Sequence, residues 1–358
     1  MWFKSKPRKV VVPRPNGISK RWSQVSSGTA PRAVRVVDIR RETPSVITVV
    51  LEPEDGRKLV FRAGQYLTHR FELDGRTFKR AYSLSAPEGG ALAFTIKLLA
   101  GSPAADFFTH HLKVGDHYSV LGPTGEFVLD ATSQKPLAFL AGGSGITPII
   151  GLIETALAQH PERPLRLIYA SRNQAEIIFR DRLNALAERH PGFFITHVLS
   201  QPESSWTGER GRLGGARAAE LLLSPDADYY LCGPAALMQA AEVSLRANGV
   251  RGERIKHELF LAAAKEKAKP TVAQEIVFKR SNRTVIQQPG ETVLEAGLRE
   301  HLALDFSCTV GGCGHCRVQV LEGQVALNEP NCLTAEEKTA GWTLACSAYA
   351  ASKLVVNA

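Results

Sequence analysis

The chain has 358 residues, 44% of them hydrophobic and 22% charged, which is enough for two or three domains with separate cores. Lys and Arg outnumber Asp and Glu by 44 to 35, but the excess gathers at one end and makes no case for a nucleic-acid partner. No apolar run is long enough for a transmembrane segment, and no secretory signal pattern opens the chain.

Residues 1–32 carry basic residues and no acidic ones, with Pro7, Pro13, Pro15 and Gly17 among them. This composition predicts a basic, flexible, solvated arm. Trp2 and Phe3 give it the means for a peripheral membrane contact or for docking an acidic partner. Residues 33–131 then show β-branched or alternating runs at 33–37, 45–51, 67–73 and 93–98, punctuated by turn residues such as Asp74-Gly75. Short strands at this spacing predict an antiparallel β-barrel, interrupted by one helical stretch near 104–112.

Within that barrel, Arg80-Ala81-Tyr82-Ser83 places an arginine, an aromatic and a hydroxyl on one strand. Arg80 can pair with a phosphate, Tyr82 can offer a flat face to an isoalloxazine ring, and Ser83 can hydrogen-bond the ring near its reactive nitrogen.

From 132 to 261 the rhythm changes. Buried-strand patterns at 137–140, 165–169, 193–198 and 229–232 alternate with helical ones, which predicts an α/β domain with a parallel sheet. Ala141-Gly142-Gly143-Ser144-Gly145-Ile146-Thr147-Pro148 follows the first strand and opens a helix, a turn suited to a pyrophosphate. After the second strand there is no acidic residue to read a free ribose 2′-hydroxyl. Ser171 and Arg172 stand there instead, and both can bind a 2′-phosphate, so NADPH is expected, with NADH the alternative. Residues 262–273 are rich in Ala and Lys and contain Pro270, the composition of a linker.

In the last segment, 274–358, Cys308, Cys313 and Cys316 have C-x4-C-x2-C spacing, and Cys346 follows later. This is the plant-type [2Fe–2S] pattern. Thiolates suit iron and zinc alike, but a zinc knuckle normally has two short pairs and only one is present. Gly311, Gly312 and Gly314 allow the backbone to curl around a bulky cluster. Cys332 has no place in the pattern and reads as a small packed side chain. Six cysteines, four of them committed to a cluster, suit a cytoplasmic location.

Taken together, these motifs resemble the ferredoxin–NADP reductase superfamily over 33–260, joined to a plant-type ferredoxin domain over 274–358. The family's R-x-Y-S/T signature is met by Arg80, Tyr82 and Ser83, and Lys97 falls where its second flavin strand often carries a base. The resemblance implies that Gly143, Gly145 and Thr147 meet the dinucleotide. It also puts Cys232, of Cys232-Gly233-Pro234, near the nicotinamide carbon, and Phe260, after Glu258, beside the flavin. The family's phosphate-capping hydroxyl falls at Ala105, with Ser102 a substitute, which leaves the flavin open between FAD and FMN; most members use FAD, so the resemblance implies FAD, with FMN the alternative. The resemblance further implies a β-grasp α+β fold for the last domain, with one iron on Cys308 and Cys313 and the other on Cys316 and Cys346. The implied activity is an NAD(P)H-dependent oxidoreductase that feeds a separate metalloenzyme (an oxygenase, desaturase or hybrid-cluster type) from a cysteine loop near the surface. A redox sensor and a general diaphorase are the rival readings.

Overall fold

Three sheet-based units follow one another along the chain in the computed structural model, which describes residues 31–222, 224, 226–260 and 270–358. The expected arm lies almost wholly outside the described residues, as does most of the expected linker.

The first sheet holds β1 (Arg32–Thr43), β2 (Val46–Pro53), β3 (Tyr66–Leu73), β4 (Arg76–Ser83), β5 (Leu92–Lys97) and β6 (His117–Thr124), in the order β4-β3-β6-β1-β2-β5. All pairings are antiparallel. The two edges meet beyond β4, where Leu84 bridges Phe94 and the Ser85 N–H donates to Ala93 O. The sheet therefore closes into the expected barrel, which removes its free edges. Leu67, Phe71, Leu84, Phe94 and Phe107 fill it. The helical stretch is α1 (Pro103–Asp106), continued by a wider turn over Phe107–His111.

The second sheet contains β7 (Leu137–Gly142), β8 (Leu165–Ser171), β9 (Phe193–Leu199), β10 (Glu209–Arg210), β11 (Asp228–Gly233) and β12 (Ile255–Leu259). Its order is β10-β9-β8-β7-β11-β12, and every pair is parallel. β7 is buried along its whole length, as a central parallel strand covered on both faces should be. Helices α2 (Ile146–Gln159), α3 (Arg180–Arg189), α4 (Gly215–Leu222) and α5 (Ala235–Ala247) lie between the strands in sequence.

The third unit comprises β13 (Gln274–Phe278), β14 (Arg283–Gln287), α6 (Val293–Arg299), β15 (Arg317–Glu322), β16 (Val325–Leu327), α7 (Ala335–Thr339), β17 (Trp342–Leu344), β18 (Ala348–Ala350) and β19 (Leu354–Asn357). Its main sheet runs β14-β13-β19-β15-β17, and β16 pairs with β18. Thr292 starts α6 with a capping box, its side chain accepting from the Glu295 N–H while Glu295 accepts from the Thr292 N–H. The cysteine loop runs between α6 and β15.

Candidate functional site

Arg80 and Tyr82 share one face of β4, because strand side chains alternate. Tyr82 stacks on Phe94 at 5.6 Å and 14°. Behind it the wholly buried His69 packs 4.1 Å from Phe94 and shares a 2.9 Å hydrogen bond with the Tyr118 hydroxyl. Burial pushes the His69 pKa down to about 3, so this support behind Tyr82 is neutral. Arg80 donates to Lys79 O, and its guanidinium lies over the Phe78 ring at 5.8 Å. No carboxylate partners it among the described residues, so its charge is available to an anion. Ser102 caps α1, accepting from the Ala105 N–H at 3.0 Å.

Ser83, on the opposite face, donates to Glu258 Oε2 at 2.8 Å. Glu258 is half-buried near the end of β12 and lines one cavity with Arg80, Tyr82 and Ser83. Loss of hydration, opposed by the Ser83 bond, pushes its pKa up to about 7. Phe260, two residues on, is 42% exposed and also lines the cavity.

Lys97 is engaged across the domains. It pairs with Glu176 Oε2 at 3.3 Å, and the same oxygen accepts from Ser45 Oγ at 2.9 Å. Despite its burial, these bonds hold Glu176 below the usual carboxylate pKa. Barrel strand β5 and the loop after β8 are thus clasped together.

In the glycine turn, Gly143 has φ +53°. A Cβ on Gly145 would lie 2.0 Å from Cys232 O, so only glycine lets the turn sit against the end of β11. Thr147 is buried, and its hydroxyl donates to Ser144 O. Gly233 is buried and the exposed Pro234 starts α5. Cys232 is wholly buried in the core and does not line the cavity. In register it sits opposite Glu258, and burial together with that carboxylate's charge keeps its thiol protonated. Ser171 ends β8 with a buried, unpartnered Oγ, and Arg172 beside it is exposed.

The cysteine loop gathers its thiols. Gly312 N–H donates to Cys308 Sγ at 3.2 Å, Val310 N–H does so at 3.5 Å, and Cys308 N–H reaches Cys313 Sγ at 3.5 Å. Hydrogen bonds from Cys313 and Cys346 hold the Cys308 thiol well below its usual pKa, and a bond from Cys346 lowers that of Cys316. Among the described residues no three such ligands converge on one ion, whereas a two-iron cluster takes its thiolates in pairs. Thr309 Oγ1 and Ser347 Oγ are buried beside the thiols without a partner, as donors to cluster sulfides would be. These features fit a [2Fe–2S] group. Cys332 stands at the rim of the same cavity.

The cysteine loop is half-exposed over residues 312–314 and exposed at His315, while its start packs on the barrel. Thr68 Oγ1 donates to Cys308 O at 2.8 Å in a buried bond, the Tyr66 hydroxyl meets Ser307 Oγ at 2.7 Å, and Lys79 pairs with Glu295 at 3.0 Å. The start of the loop is therefore packed on the barrel. Tyr66, to which the sequence reading assigned no role, has its phenol pKa raised by burial and by the charges of Cys313 and Cys308. A single cavity of ≈ 1610 Å³ joins the flavin strand (Arg80, Tyr82, Ser83) to Ser144 and Thr147 of the glycine turn and to Cys308 and Cys313. It exceeds the usual size of a single small-molecule site.

A barrel with a flavin strand, a parallel sheet with a dinucleotide turn, and a cysteine-loop unit define the class: a pyridine-nucleotide-dependent iron–sulfur flavoprotein oxidoreductase. Family models match in the same order. They are an oxidoreductase FAD-binding domain over 34–129, an oxidoreductase NAD-binding domain over 139–243, and a 2Fe-2S iron-sulfur cluster binding domain over 276–351. The ferredoxin reductase component of 3-ketosteroid-9-alpha-monooxygenase from Mycobacterium tuberculosis is 30% identical, covering 87% of this chain and 90% of that protein. One of the subunits of 1,2-phenylacetyl-CoA epoxidase from Escherichia coli is 28% identical, with 92% and 97% covered. The solved structure of phthalate dioxygenase reductase shares the fold at a TM-score of 0.65 and 23% identity, with 91% and 97% covered. The chain belongs to the ferredoxin–NADP reductase superfamily, in the branch that carries a C-terminal plant-type [2Fe–2S] ferredoxin domain. Its cofactors are FAD, a pyridine nucleotide and a [2Fe–2S] cluster.

Proposed function

We propose that this protein passes electrons from NADPH, through FAD and the [2Fe–2S] cluster, to a separate partner oxygenase in the cytoplasm. The observation that carries this reading is the single cavity shared by the flavin strand, the glycine turn and the cysteine loop. Relatives that cover nearly the whole chain, named as reductase components of monooxygenases, support the oxygenase as acceptor. When bound, the nicotinamide supplies a hydride, the flavin converts an electron pair into single electrons, and the cluster carries one at a time.

In this reading Arg80 holds a flavin phosphate, Tyr82 flanks the ring, and Ser83 addresses its reactive nitrogen, with Phe260 covering the ring. Gly143, Gly145, Thr147, Gly233 and Pro234 shape the dinucleotide site, while Ser171 and Arg172 receive the 2′-phosphate. Cys232 backs the nicotinamide site as a neutral thiol, and Lys97 steadies the flavin strand through Glu176. Glu258, with a pKa of about 7, holds a proton that Ser83 Oγ can relay to the cavity. Cys308, Cys313, Cys316 and Cys346 hold the cluster. The working domains are 33–131, 132–261 and 274–358, with an arm at 1–32 that can meet a membrane surface and a linker at 262–273.

The test is a pull-down with cluster-loaded protein, followed by NADPH-driven reduction of the captured metalloenzyme. Reduction of an oxygenase is expected. Capture and reduction of a desaturase or hybrid-cluster protein instead would move the acceptor to that class. Turnover of small acceptors with no protein partner would favour a diaphorase.

A further inference from the structure

Along β3 the side chains alternate. Leu67, His69 and Phe71 enter the barrel core, and Tyr66 and Thr68 share the other face. That face meets the cysteine loop. The Tyr66 hydroxyl lies 2.7 Å from Ser307 Oγ, and Thr68 Oγ1 donates over 2.8 Å to Cys308 O. Two positions two residues apart on a paired strand thus grip two consecutive residues at the start of the cluster loop. The Tyr66 ring is held as well, being only 8% exposed. A Cβ at Gly125 would come within 3.1 Å of its Cδ1 and Cε1, and Gly125 has φ +121°, so only glycine fits beneath the ring. On its other side, Tyr66 stands opposite Ser83, the residue at the flavin edge, in the β3–β4 register. The ladder bond there runs from the Leu84 N–H to Gln65 O. One residue therefore faces Ser83 across the strand pair and meets the cysteine loop through its hydroxyl.

We propose that Tyr66 is a positioning residue for electron transfer, setting the register of the cysteine loop on the flavin strand and so the gap an electron crosses to reach the cluster. This rests on the electron-transfer reading above. Tyr66 is neither oxidised nor deprotonated, and the electron that crosses is one of the pair delivered by NADPH. Thr68 supplies the second point of the grip. Lys79, on the neighbouring strand β4 and paired with Glu295 of α6, supplies a third.

The test uses the full cofactor-loaded chain as wild type, Tyr66→Phe and Tyr66→Leu. Two quantities are read: hydrogen exchange at the amides of residues 307–312, and stopped-flow absorbance that separates flavin reduction from cluster reduction. Loss of one hydrogen bond in Tyr66→Phe should speed exchange of the loop about fivefold and slow the cluster phase by a similar factor. Tyr66→Leu, which also removes the ring, should slow the cluster phase by about tenfold or more. Flavin reduction by NADPH should stay within about twofold in both variants, because the Tyr66 hydroxyl bonds Ser307 of the cysteine loop and no residue of the glycine turn. The proposal is overturned by unchanged exchange and cluster phases in both variants, or by equal slowing of both phases, which would mark a general loss of structure. Photoreducing the flavin repeats the cluster phase without any nicotinamide, so failure of the NADPH reading would leave this test standing.

Discussion

Replacing Glu258 with Gln tests the proton-holding group directly. Its carboxyl pKa rises from 4.5 to about 7 in the folded chain, because loss of hydration outweighs the Ser83 hydrogen bond. That displacement corresponds to about 3 kcal/mol. Glu258 borders a cavity rather than a dry core, and screening there leaves roughly 1–2 kcal/mol. Between pH 4.5 and about 7 the folded state binds more protons than the unfolded one at this group. Its contribution to stability therefore falls as pH rises through that window and levels off above it. Glutamine does not ionise, so Glu258→Gln should gain about 1–2 kcal/mol relative to wild type between pH 5 and pH 8. Urea unfolding at several pH values, followed by tryptophan fluorescence, measures the gap. An infrared carboxylic-acid band seen at pH 6 in wild type should be missing in the variant. A stability gap that stays constant across the window would refute the reasoning.

Cys346→Ser should lose most of the visible cluster absorbance while FAD stays bound, and Cys332→Ser should keep the cluster; bleaching by the Cys332 change would undo the ligand assignment. Arg80→Ala removes a charge-assisted hydrogen bond worth roughly 1.5–3 kcal/mol, so FAD should bind about 10–150-fold more weakly and be lost on dilution. Full occupancy in that variant would put the phosphate elsewhere. Wild type should prefer NADPH over NADH in kcat/KM, and Arg172→Ala should lose that preference mainly through KM; an unchanged ratio would remove the 2′-phosphate from this loop.

Local patterns carried much of this architecture. Strands β2, β3, β7 and β11 are legible because β-branched or apolar runs of strand length stand between turn residues, and the cysteine spacing names its cluster from four positions. Contacts between domains leave no such local trace. Glu176 is separated from Lys97 by 79 residues, and Cys308 from Thr68 by 240, so nothing near either partner announces the other. For that reason the packing of Ser307 and Cys308 on the barrel is not legible in the sequence, and Tyr66 passes for an ordinary barrel aromatic. The glutamate at position 258 is visible as a residue type. Its raised pKa is not, since that depends on the cavity that three separate segments enclose.

The long separation between Tyr66 and Ser307, 241 residues, also has a meaning in time. A ribosome adding about 5–20 residues per second needs on the order of ten to fifty seconds to make the chain between them. For most of that interval the β3–β4 hairpin has been made while the loop that will cover it has not. FAD can reach Arg80, Tyr82 and Ser83 most directly in this period, before the last domain closes one wall of their cavity. Synthesis thus presents an uncovered barrel strand before the segment that packs over it exists.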